Sequence, residues 1–184
     1  MEIKKTHIKD LFIIEHEPLM DQRGSFLELW NFKKFKKTQL ISDFSQDNIS
    51  ISKKNVIRGL HLQKKPHEQL KYVKVISGKV LDVAVDLRIK SKTFGQHLAI
   101  ELSESNNYSL WIPKGFAHGF MSMTHNTIFY YKCYGEYKPE SELTIKWDDP
   151  EINIDWGEKK PIVSKKDQSG ISFKEYLKLK NIYE

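Results

Sequence analysis

The stretch NVIRGLHLQKKPHEQLKYVKVISG, residues 55–78, contains two candidate strands, and the remaining sequence is interpreted around it. The first strand begins with two β-branched residues, and the second, over residues 70–76, alternates between two faces. We predict that the two strands form a hairpin-like unit that presents His61 and Lys71 to a common cavity. Taken singly, His61 is equally consistent with a satisfied core histidine, and Lys71 with a solvated surface lysine.

The order of side chains in the first strand sets which residues should share a face with His61. Because successive side chains of a strand point to opposite faces, Arg58 and Leu60 are expected on one face, and Gly59 and His61 on the other. A glycine two residues before His61 leaves room beside the imidazole ring. The pattern therefore predicts that Arg58 and His61 lie on opposite sides of the strand.

The composition limits the classes of protein to which this chain can belong. It has 184 residues, of which 39% are hydrophobic and 29% charged, as expected for one soluble domain. No apolar run approaches the roughly 20 residues of a membrane-spanning helix, and no signal-peptide pattern is present at the N-terminus. Cys133 is the only cysteine, which excludes an intrachain disulfide and argues against a cysteine zinc cluster. We expect a cytoplasmic protein that does not associate with a membrane.

The charge balance favours an anionic partner. The formal net charge is +6, and a basic protein attracts nucleic acids, nucleotides and phosphorylated compounds. The lysines are scattered along the chain, however, and no basic stripe with interleaved aromatic residues stands out. A solvated lysine surface is therefore the preferred interpretation, and no nucleic-acid partner is expected.

Short strands bounded by turn residues follow one another along nearly the whole chain, and helix is expected only near the ends. This pattern predicts a mainly β protein, either a β-sandwich or a β-barrel, with weak helical periodicity over residues 173–183. We find no internal repeat or linker and assign residues 1–184 to a single domain. The cavity of a small barrel is a natural ligand site.

Two predicted strands carry an unusual set of side chains on one face. Within residues 43–52, alternation places Phe44, Gln46, Asn48 and Ser50 together, which suggests the lining of a cavity and not a core strand.

A strand over residues 25–30 would place Phe26, Glu28 and Trp30 on one face, a mixture with no obvious partner inside a monomer. The preceding loop contains Arg23, which could bind an anion or lie in an ordinary surface turn.

Residues 113–118, PKGFAH, match the Pro-x-Gly-x-x-His pattern of the second motif of cupin barrels. The first motif of metal-binding cupins is His-x-His followed after four residues by Glu, and here the spacing of His61 and Glu68 is kept while Gln63 replaces the second histidine. Glutamine is a weak neutral ligand, and a first-row metal needs three or four strong donors. We predict a cupin cavity without a metal, and a metal cupin is the alternative.

Without a metal, the chemistry must come from side chains. A histidine with an orienting carboxylate can act as a general base, a lysine can stabilise an oxyanion, and a tyrosine can return a proton. Such a set suits the removal of a proton from a carbon next to a carbonyl. The polar candidates are His61, Lys71, His118, Tyr131 and Asp167, with Arg23 and Arg58 for anions.

Six motifs spread over residues 10–168 resemble the dTDP-4-dehydrorhamnose 3,5-epimerase family of the cupin superfamily. They are DQRGSFLE (21–28), QDN (46–48), VIRGLHLQ (56–63), DVAVDLR (82–88), IPKGFAHGF (112–120) and WDDP (147–150). The resemblance implies a cupin-type jelly roll with short peripheral helices, which forms a homodimer and uses neither metal nor cofactor. It also implies that N-terminal strands at about 10–30 are exchanged with the dimer partner, and that a C-terminal tail occupies about 171–184.

The resemblance implies an isomerase that inverts C3 and C5 of dTDP-4-keto-6-deoxyglucose. The product would be dTDP-4-keto-L-rhamnose, for deoxysugar, rhamnose and surface polysaccharide biosynthesis. The C4 ketone acidifies both neighbouring carbons, so that no redox cofactor is needed.

The resemblance also implies roles for individual residues. His61 matches the base, Asp167 its partner, Lys71 the residue that steadies the enolate, and Tyr131 the acid at the opposite face of the sugar. Two of the binding positions, Phe26 and Tyr137, match aromatic residues that stack on thymine, and the N-terminal ones belong to a strand that crosses to the partner subunit. The positions that match nucleotide and sugar contacts are Arg23, Phe26, Glu28, Gln46, Asp47, Asn48, Arg58, His118, Tyr137, Glu142 and Lys166.

Several alternatives stay open at this point. Relatives that epimerise only C3 or only C5 keep the same histidine and aspartate, so a single-site epimerase fits the sequence as well. A ketoisomerase cupin would be shorter and would lack the pairing of His61 with Asp167. A catalytically silent sugar-nucleotide-binding cupin would lack the base or the acid, whereas His61 and Tyr131 are both present. One departure from the family is Leu70, which stands where glycine is frequent.

Overall fold

Two β-sheets packed face to face form the framework of the chain, and the computed structural model describes residues 1–38, 40 and 43–179. The strands are β1 (Glu2–Lys5), β2 (Phe12–Glu15), β3 (Leu19–Asp21), β4 (Gly24–Phe26), β5 (Gln46–Ser52), β6 (Val56–Gln63), β7 (Leu70–Ser77), β8 (Lys79–Asp86), β9 (His97–Ser103), β10 (Tyr108–Ile112), β11 (Phe116–Ser122), β12 (Thr127–Tyr134), β13 (Glu142–Thr144) and β14 (Ile162–Val163). The helices are α1 (Phe32–Phe35), α2 (Lys165–Gln168) and α3 (Phe173–Leu179), with a 3-10 turn at Pro139–Ser141.

The first sheet has the strand order β1-β2-β10-β7-β12-β5, and the second has β13-β6-β11-β8-β9 with β14 paired to β6. Strands β3 and β4 form a separate two-stranded hairpin. Pairing within each sheet is antiparallel except between β14 and β6. The predicted mainly β jelly roll with short peripheral helices is confirmed.

Three apolar clusters hold these layers together. One lies between the sheets, one covers the outer face of the second sheet with C-terminal segments, and one covers the outer face of the first sheet with N-terminal segments. Strand β8 shows how the sequence supplies two clusters at once, because Val80 and Ala84 point between the sheets while Val83 and Val85 point outward. The alternation of β8 therefore reflects burial on both faces.

The expected hairpin of β6 and β7 is wrong, because the two strands belong to different sheets. Strand β6 pairs with β11 and β13, whereas β7 pairs with β10 and β12. The short loop of residues 64–69 is compatible with a hairpin, but in the structure it carries the chain from one sheet to the other. His61 and Lys71 still meet in one cavity, because the inner faces of the two sheets oppose each other.

The predicted faces of β6 are also wrong at one point. His61 is opposite His118 on β11, whereas Arg58 is opposite Phe120, so β6 contains one more residue than β11 in this interval. That extra residue is a β-bulge beside Gly59, and it reverses the alternation. Arg58 and His61 consequently line the same cavity, although simple alternation would separate them.

The predicted strand over residues 25–30 is shorter in the structure, where β4 ends at Phe26. Trp30 does not follow the alternation, because its ring packs on the outer face of the first sheet. Its centroid lies 4.0 Å from that of Phe35 and 4.7 Å from that of Phe44. Trp30 thus has partners within the chain, while Phe26 and Glu28 stay exposed.

Strand β11 is the element that the sequence pattern did not reveal. Every residue of Phe116–Ser122 is buried, so the strand has no polar face and no alternation to detect.

The predicted C-terminal helix is confirmed over Phe173–Leu179, and residues 180–183 lie outside the described part of the chain. No helix among the described residues is long and apolar enough to cross a membrane.

Gly59 allows β6 and β11 to approach closely. A Cβ atom on Gly59 would lie 2.5 Å from Gly119 Cα and 3.0 Å from the His118 carbonyl oxygen, and the φ angle of Gly59 is +136°.

We expect Gly59→Ala to lower the free energy of unfolding by about 2–4 kcal/mol, measured by urea unfolding followed through tryptophan fluorescence. Gly24→Ala is the matched control, because its φ is +118° but no atom lies within 4 Å of the added Cβ. Equal losses in the two variants would show that the close approach is not the cause.

Candidate active site

A cavity of about 640 Å³ lies between the inner faces of the two sheets, and residues of the segment 162–167 line part of it. Its volume falls in the range of small-molecule sites. Strands β5, β7 and β12 form one wall, and β6 and β11 form the other. The polar side chains that line it are Gln46, Asn48, Ser50, Arg58, His61, Gln63, Gln69, Lys71, His118, Tyr131, Tyr137, Glu142, Ser164, Lys166 and Asp167.

The structure brings most of the predicted site residues together and leaves four of them outside the cavity. Asp47 points away because it alternates with its neighbours on β5, and it accepts a 2.6 Å contact from the Lys132 ammonium group. The other three lie on or beside the exposed β3–β4 hairpin. The residues inside are Gln46, Asn48, Arg58, His61, Lys71, His118, Tyr131, Tyr137, Glu142, Lys166 and Asp167, and those outside are Arg23, Phe26, Glu28 and Asp47.

His61 and Asp167 form a hydrogen-bonded pair at the cavity wall, with 2.7 Å between Nε2 and Oδ1. The Asp167 side chain is 5% exposed, and its second oxygen accepts from the Gly59 amide at 3.2 Å. Its own amide donates at 3.1 Å to the Ser164 hydroxyl, which caps the N-terminus of α2. These contacts hold the carboxylate in place and leave the other ring nitrogen of His61 for chemistry.

The electrostatics of Asp167 favour its charged form. Burial raises the pKa of this carboxyl, but the hydrogen bond and charge of His61, together with the bonds from Gly59 and Ser164, outweigh burial and leave the pKa below 3.8. An ionised carboxylate next to an imidazole both orients the ring and stabilises its protonated form. The pair is therefore equipped to accept a proton.

A second histidine lies beside the first, on β11. His118 Nε2 lies 3.0 and 3.1 Å from the two carboxylate oxygens of Asp82, and both side chains are buried. Burial lowers the pKa of His118, and the nearby Lys71 and His61 add to the effect, which the Asp82 charge opposes without reversing it. His118 thus favours its neutral form and presents a polar ring to the cavity.

Lys71 projects from β7 into the cavity, directly across from Cys133 on β12. Burial lowers the pKa of its ammonium group, while Cys133, Glu142 and Asp82 act in the opposite direction. Among the described residues, the structure gives the Lys71 ammonium no hydrogen bond or ion pair. Its donors are therefore directed at the cavity space.

Tyr131 lies on the wall opposite His61, on β12. Its neighbour Tyr130 points to the other face of the strand and accepts a 3.3 Å contact from Lys132. Burial raises the pKa of the Tyr131 hydroxyl, with smaller contributions that include Cys133 and, in the opposite direction, Arg58. Tyr131 is therefore protonated at neutral pH and can donate.

The mouth of the cavity is formed by a small polar network. The Tyr137 hydroxyl donates to Glu142 Oε2 at 2.9 Å, and the Lys166 ammonium group donates to the same oxygen. Burial raises the pKa of Glu142, but the hydrogen bonds from Lys166 and Tyr137 prevail and lower it. The guanidinium of Arg58 is anchored on β5, where its Nε donates to the Ser52 hydroxyl at 3.1 Å and its Nη2 to the Ile51 carbonyl at 3.5 Å, and Arg58 lines the cavity.

Gln63 stands where a metal-binding cupin has its second histidine, and it has another contact here. Its Oε1 accepts from the Lys138 amide at 3.0 Å, and the side chain is 6% exposed. Within the described part of the chain, no group of three or more His, Cys, Asp or Glu side chains is placed to hold a metal ion. The metal-free site stays a prediction, supported by the donor set.

Several lining residues were missed as site residues in the sequence, among them Cys133, Gln69 and the capping residue Ser164. Cys133 lies two residues after Tyr131 on β12, so alternation places both side chains on the face that lines the cavity. Gln69 lies in the loop before β7, where side chains do not alternate between two faces, so no pattern in the sequence could have identified it as a lining residue.

Comparison with known proteins gives one consistent result. The family described as dTDP-4-dehydrorhamnose 3,5-epimerase matches residues 5–175. The dTDP-4-dehydrorhamnose 3,5-epimerase of Escherichia coli K12 is 41% identical over 184 residues, which cover 99% of this chain and 100% of that protein.

Two solved structures are similar over nearly the whole chain. The crystal structure of dTDP-4-dehydrorhamnose 3,5-epimerase from Elizabethkingia anophelis NUHP1 shares 46% identity with a TM-score of 0.90, over 95% of this chain and 97% of that one. The 3,5-epimerase of Legionella pneumophila, solved in complex with dTDP-4-keto-L-rhamnose, shares 43% identity with a TM-score of 0.88, over 93% and 92%.

The hydrogen bonds to Asp167 predict a pH-dependent contribution to stability. The pKa of Asp167 in the folded chain lies below its ordinary 3.8, so its stabilising contribution is present above pH 3.8 and is lost as the pH falls through the folded value. We expect Asp167→Asn to lower the free energy of unfolding by about 1–2 kcal/mol at neutral pH, and this difference to shrink below pH 3.8. Urea unfolding between pH 3 and 7 measures the difference.

The control for this prediction is Asp148→Asn, which removes an exposed carboxylate. It should change the unfolding free energy little at any pH. A gap between wild type and Asp167→Asn that stays constant as the pH falls would contradict the linkage.

Proposed function

The chain belongs to the dTDP-4-dehydrorhamnose 3,5-epimerase family, and we propose that it performs the family's reaction through His61, Asp167, Lys71 and Tyr131. The enzyme is an isomerase that inverts C3 and C5 of dTDP-4-keto-6-deoxyglucose and gives dTDP-4-keto-L-rhamnose in dTDP-rhamnose biosynthesis. Double epimerisation is favoured over the single-site alternative, since relatives that share about 40–46% identity with this chain are named as 3,5-epimerases.

The observation that carries the assignment of residues is the placement of a base and an acid on facing walls. His61 and its partner Asp167 lie at the second sheet, whereas Tyr131 lies on the first. Inversion of a carbon requires that a proton leave from one face of the sugar and that another arrive from the opposite face. A ring held between the two sheets meets both requirements at once.

The proposed reaction uses the acidity that the C4 ketone confers on its neighbours. His61 takes the proton from C3, and the electron pair moves onto the ketone oxygen to form an enolate that Lys71 stabilises. The enolate then collapses, and its carbon takes a proton from the Tyr131 hydroxyl on the other face. His61 releases its proton to solvent and Tyr131 regains one, after which the same cycle acts at C5.

The surroundings of each group support its role. The raised pKa of Tyr131 keeps the acid protonated, and the ionised Asp167 stabilises the imidazolium that forms on His61. Lys71 has donors free of other described partners and lies within the same cavity, where an oxyanion would be desolvated. No step in this scheme needs a metal or a redox cofactor.

The substrate-binding part of the proposal concerns the mouth of the cavity. Arg58 and Lys166 provide cations for the diphosphate, and charge-assisted hydrogen bonds of this kind are worth roughly 1.5–3 kcal/mol each. Tyr137 is 43% exposed there and offers an aromatic face to the thymine ring. Gln46 and Asn48 add neutral donors and acceptors from β5.

We further propose a homodimer in which the β3–β4 hairpin lies against the partner subunit and brings Arg23, Phe26 and Glu28 to its cavity. The hairpin exposes 71% of Leu19, 72% of Met20 and 67% of Phe26. A two-stranded hairpin with exposed apolar side chains is marginal alone and is stabilised by a partner.

The segment proposed to cross is shorter than residues 10–30. Within the chain, β2 pairs with β1 and β10, Ile14 is fully buried, and Trp30 packs on the first sheet. The crossing segment is therefore confined to the exposed β3–β4 hairpin and the residues next to it. Edge strand β5 exposes Ile49 and Ile51 and offers one surface for the crossing hairpin.

A cytoplasmic location also stays a prediction, supported by the single free thiol of Cys133.

The catalytic proposal is tested by proton exchange. We expect His61→Ala to lower solvent exchange at both C3 and C5 by a factor of about 10²–10⁴, because it removes the base. Tyr131→Phe should keep measurable exchange but impair inversion, because only the proton return is affected. Proton NMR of dTDP-4-keto-6-deoxyglucose in deuterated water follows each carbon separately.

Tyr130→Phe is the matched control for the acid, since Tyr130 is adjacent in sequence but points to the other face. It should turn over like wild type. Wild-type turnover by Tyr131→Phe, or equal losses in the two tyrosine variants, would refute the assignment of Tyr131.

The dimer proposal is tested at the hairpin and not by truncation, which would also remove the buried residues of β2. We expect Leu19→Asp with Phe26→Asp to shift the protein from dimer to monomer in sedimentation velocity and to weaken dTDP binding about tenfold or more. The change places two charges in an apolar interface, where unpaired charge is costly. Phe32→Asp, a change at another exposed aromatic residue, is the control. A monomeric wild type with undiminished dTDP affinity in the double variant would defeat the proposal.

A further inference from the structure

The loop that carries Tyr137 lies between two glutamine side chains that both line the cavity. It follows β12 and consists of residues 135–138, before the 3-10 turn. Among the described residues, the bond to Glu142 at 2.9 Å is the one hydrogen bond of the Tyr137 side chain. The orientation of its ring therefore depends on how residues 135–138 are anchored.

Gln63 anchors the C-terminal end of this loop. Its Oε1 accepts from the Lys138 amide at 3.0 Å, and the side chain is almost fully buried. The next residue of the chain reinforces the contact, because the Lys64 amide donates to the Ser141 carbonyl at 2.8 Å. The residue after Tyr137 is thus tied by a side-chain amide to the end of β6.

Gln69 anchors the N-terminal end of the loop. Its Nε2 donates to the Gly135 carbonyl oxygen at 3.2 Å. Gly135 has a φ angle of +95°, and a Cβ atom there would lie 3.2 Å from the Glu68 carbonyl oxygen, so the loop passes close to the backbone next to Gln69. The two anchors lie on either side of Tyr137.

We propose that Gln63 and Gln69 are positioning residues, which clamp residues 135–138 so that the Tyr137 ring is presented to the nucleotide base. The proposal rests on the proposed function, since it assumes a dTDP-sugar in this cavity. It assigns a role to the position that holds a metal ligand in metal-binding cupins, where this chain has an amide that holds a backbone N–H.

The two amides act with opposite polarity, which makes the clamp testable with one type of substitution. Lys138 offers an N–H, so Gln63 must use its oxygen, whereas Gly135 offers a carbonyl, so Gln69 must use its nitrogen. Glutamate has almost the shape of glutamine but only accepts hydrogen bonds when ionised. Gln63→Glu therefore keeps its bond, and Gln69→Glu replaces a bond by oxygen–oxygen repulsion.

The experiment measures dTDP affinity by isothermal titration calorimetry. We expect Gln63→Glu to stay within about threefold of wild type, and Gln63→Leu, Gln69→Leu and Gln69→Glu to weaken dTDP about five- to tenfold. In steady-state kinetics with the dTDP-sugar, the three weakened variants should raise KM by a similar factor with kcat within about twofold. Both Glu variants add one negative charge to the cavity wall, so a difference between them reports hydrogen-bond polarity.

A double-mutant cycle that combines each glutamine variant with Tyr137→Ala separates positioning of the Tyr137 ring from a general effect on the structure of the cavity. If the clamp acts through the ring, Gln63→Leu and Gln69→Leu should cause no further loss of dTDP affinity once the ring is removed. Losses that persist in Tyr137→Ala, or a Gln63→Glu variant as weak as Gln63→Leu, would overturn the proposal.

The outcomes for the clamp and for the proposed function are distinguishable, because dTDP binding needs no turnover. A wild type that binds dTDP but exchanges no protons at C3 or C5 would overturn the proposed function and leave the clamp to be judged by the affinities. An active enzyme whose glutamine variants all bind dTDP like wild type would overturn the clamp alone.

Discussion

The close approach of β6 and β11 at Gly59 and Gly119 is the constraint on which the site depends. The Cβ atom of any other residue at position 59 would lie only 2.5 Å from Gly119 Cα, so the two strands would have to move apart. The bulge at this point brings Arg58 and His61 to one face, and the Gly59 amide holds Asp167 at 3.2 Å. One backbone irregularity thus places the cation, the base and the carboxylate that orients the base.

The two-sheet architecture explains why a jelly roll suits an inversion of configuration. In the proposed assignment, the base and its carboxylate belong to one wall, and the tyrosine and lysine to the other, so a flat ring between them would be reached from both faces. The same burial that encloses the ring raises the pKa of Tyr131 and lowers that of His118, while hydrogen bonds keep the pKa of Asp167 low. Geometry and electrostatics therefore have a common origin in the packing of the sheets.

The periphery of the cavity is built differently from its walls. The proposed nucleotide end consists of a loop, in which Gln63 and Gln69 bond the backbone on either side of Tyr137, and of a hairpin whose apolar side chains are exposed. Loops that recognise the variable part of a ligand, carried on a rigid scaffold, are a common division of labour in binding sites. In the proposed function, the sheets hold the groups that react, and the loops hold the groups that recognise the nucleotide.

The sequence by itself determined the mainly β class and the cavity-facing side of β5, because strand alternation is a local property. The role of Tyr131 came from the family resemblance, and alternation could say only that Tyr130 and Tyr131 point to opposite faces. The motifs of the sequence also indicated the family and most of the polar side chains that line the cavity. Only the tertiary structure decided that β6 and β7 lie in different sheets, that a bulge joins Arg58 to the face of His61, and that Gln63 and Gln69 flank Tyr137. These features arise from pairing between strands distant in sequence, and the contact of His61 with Asp167 spans 106 residues, so no local pattern could contain them.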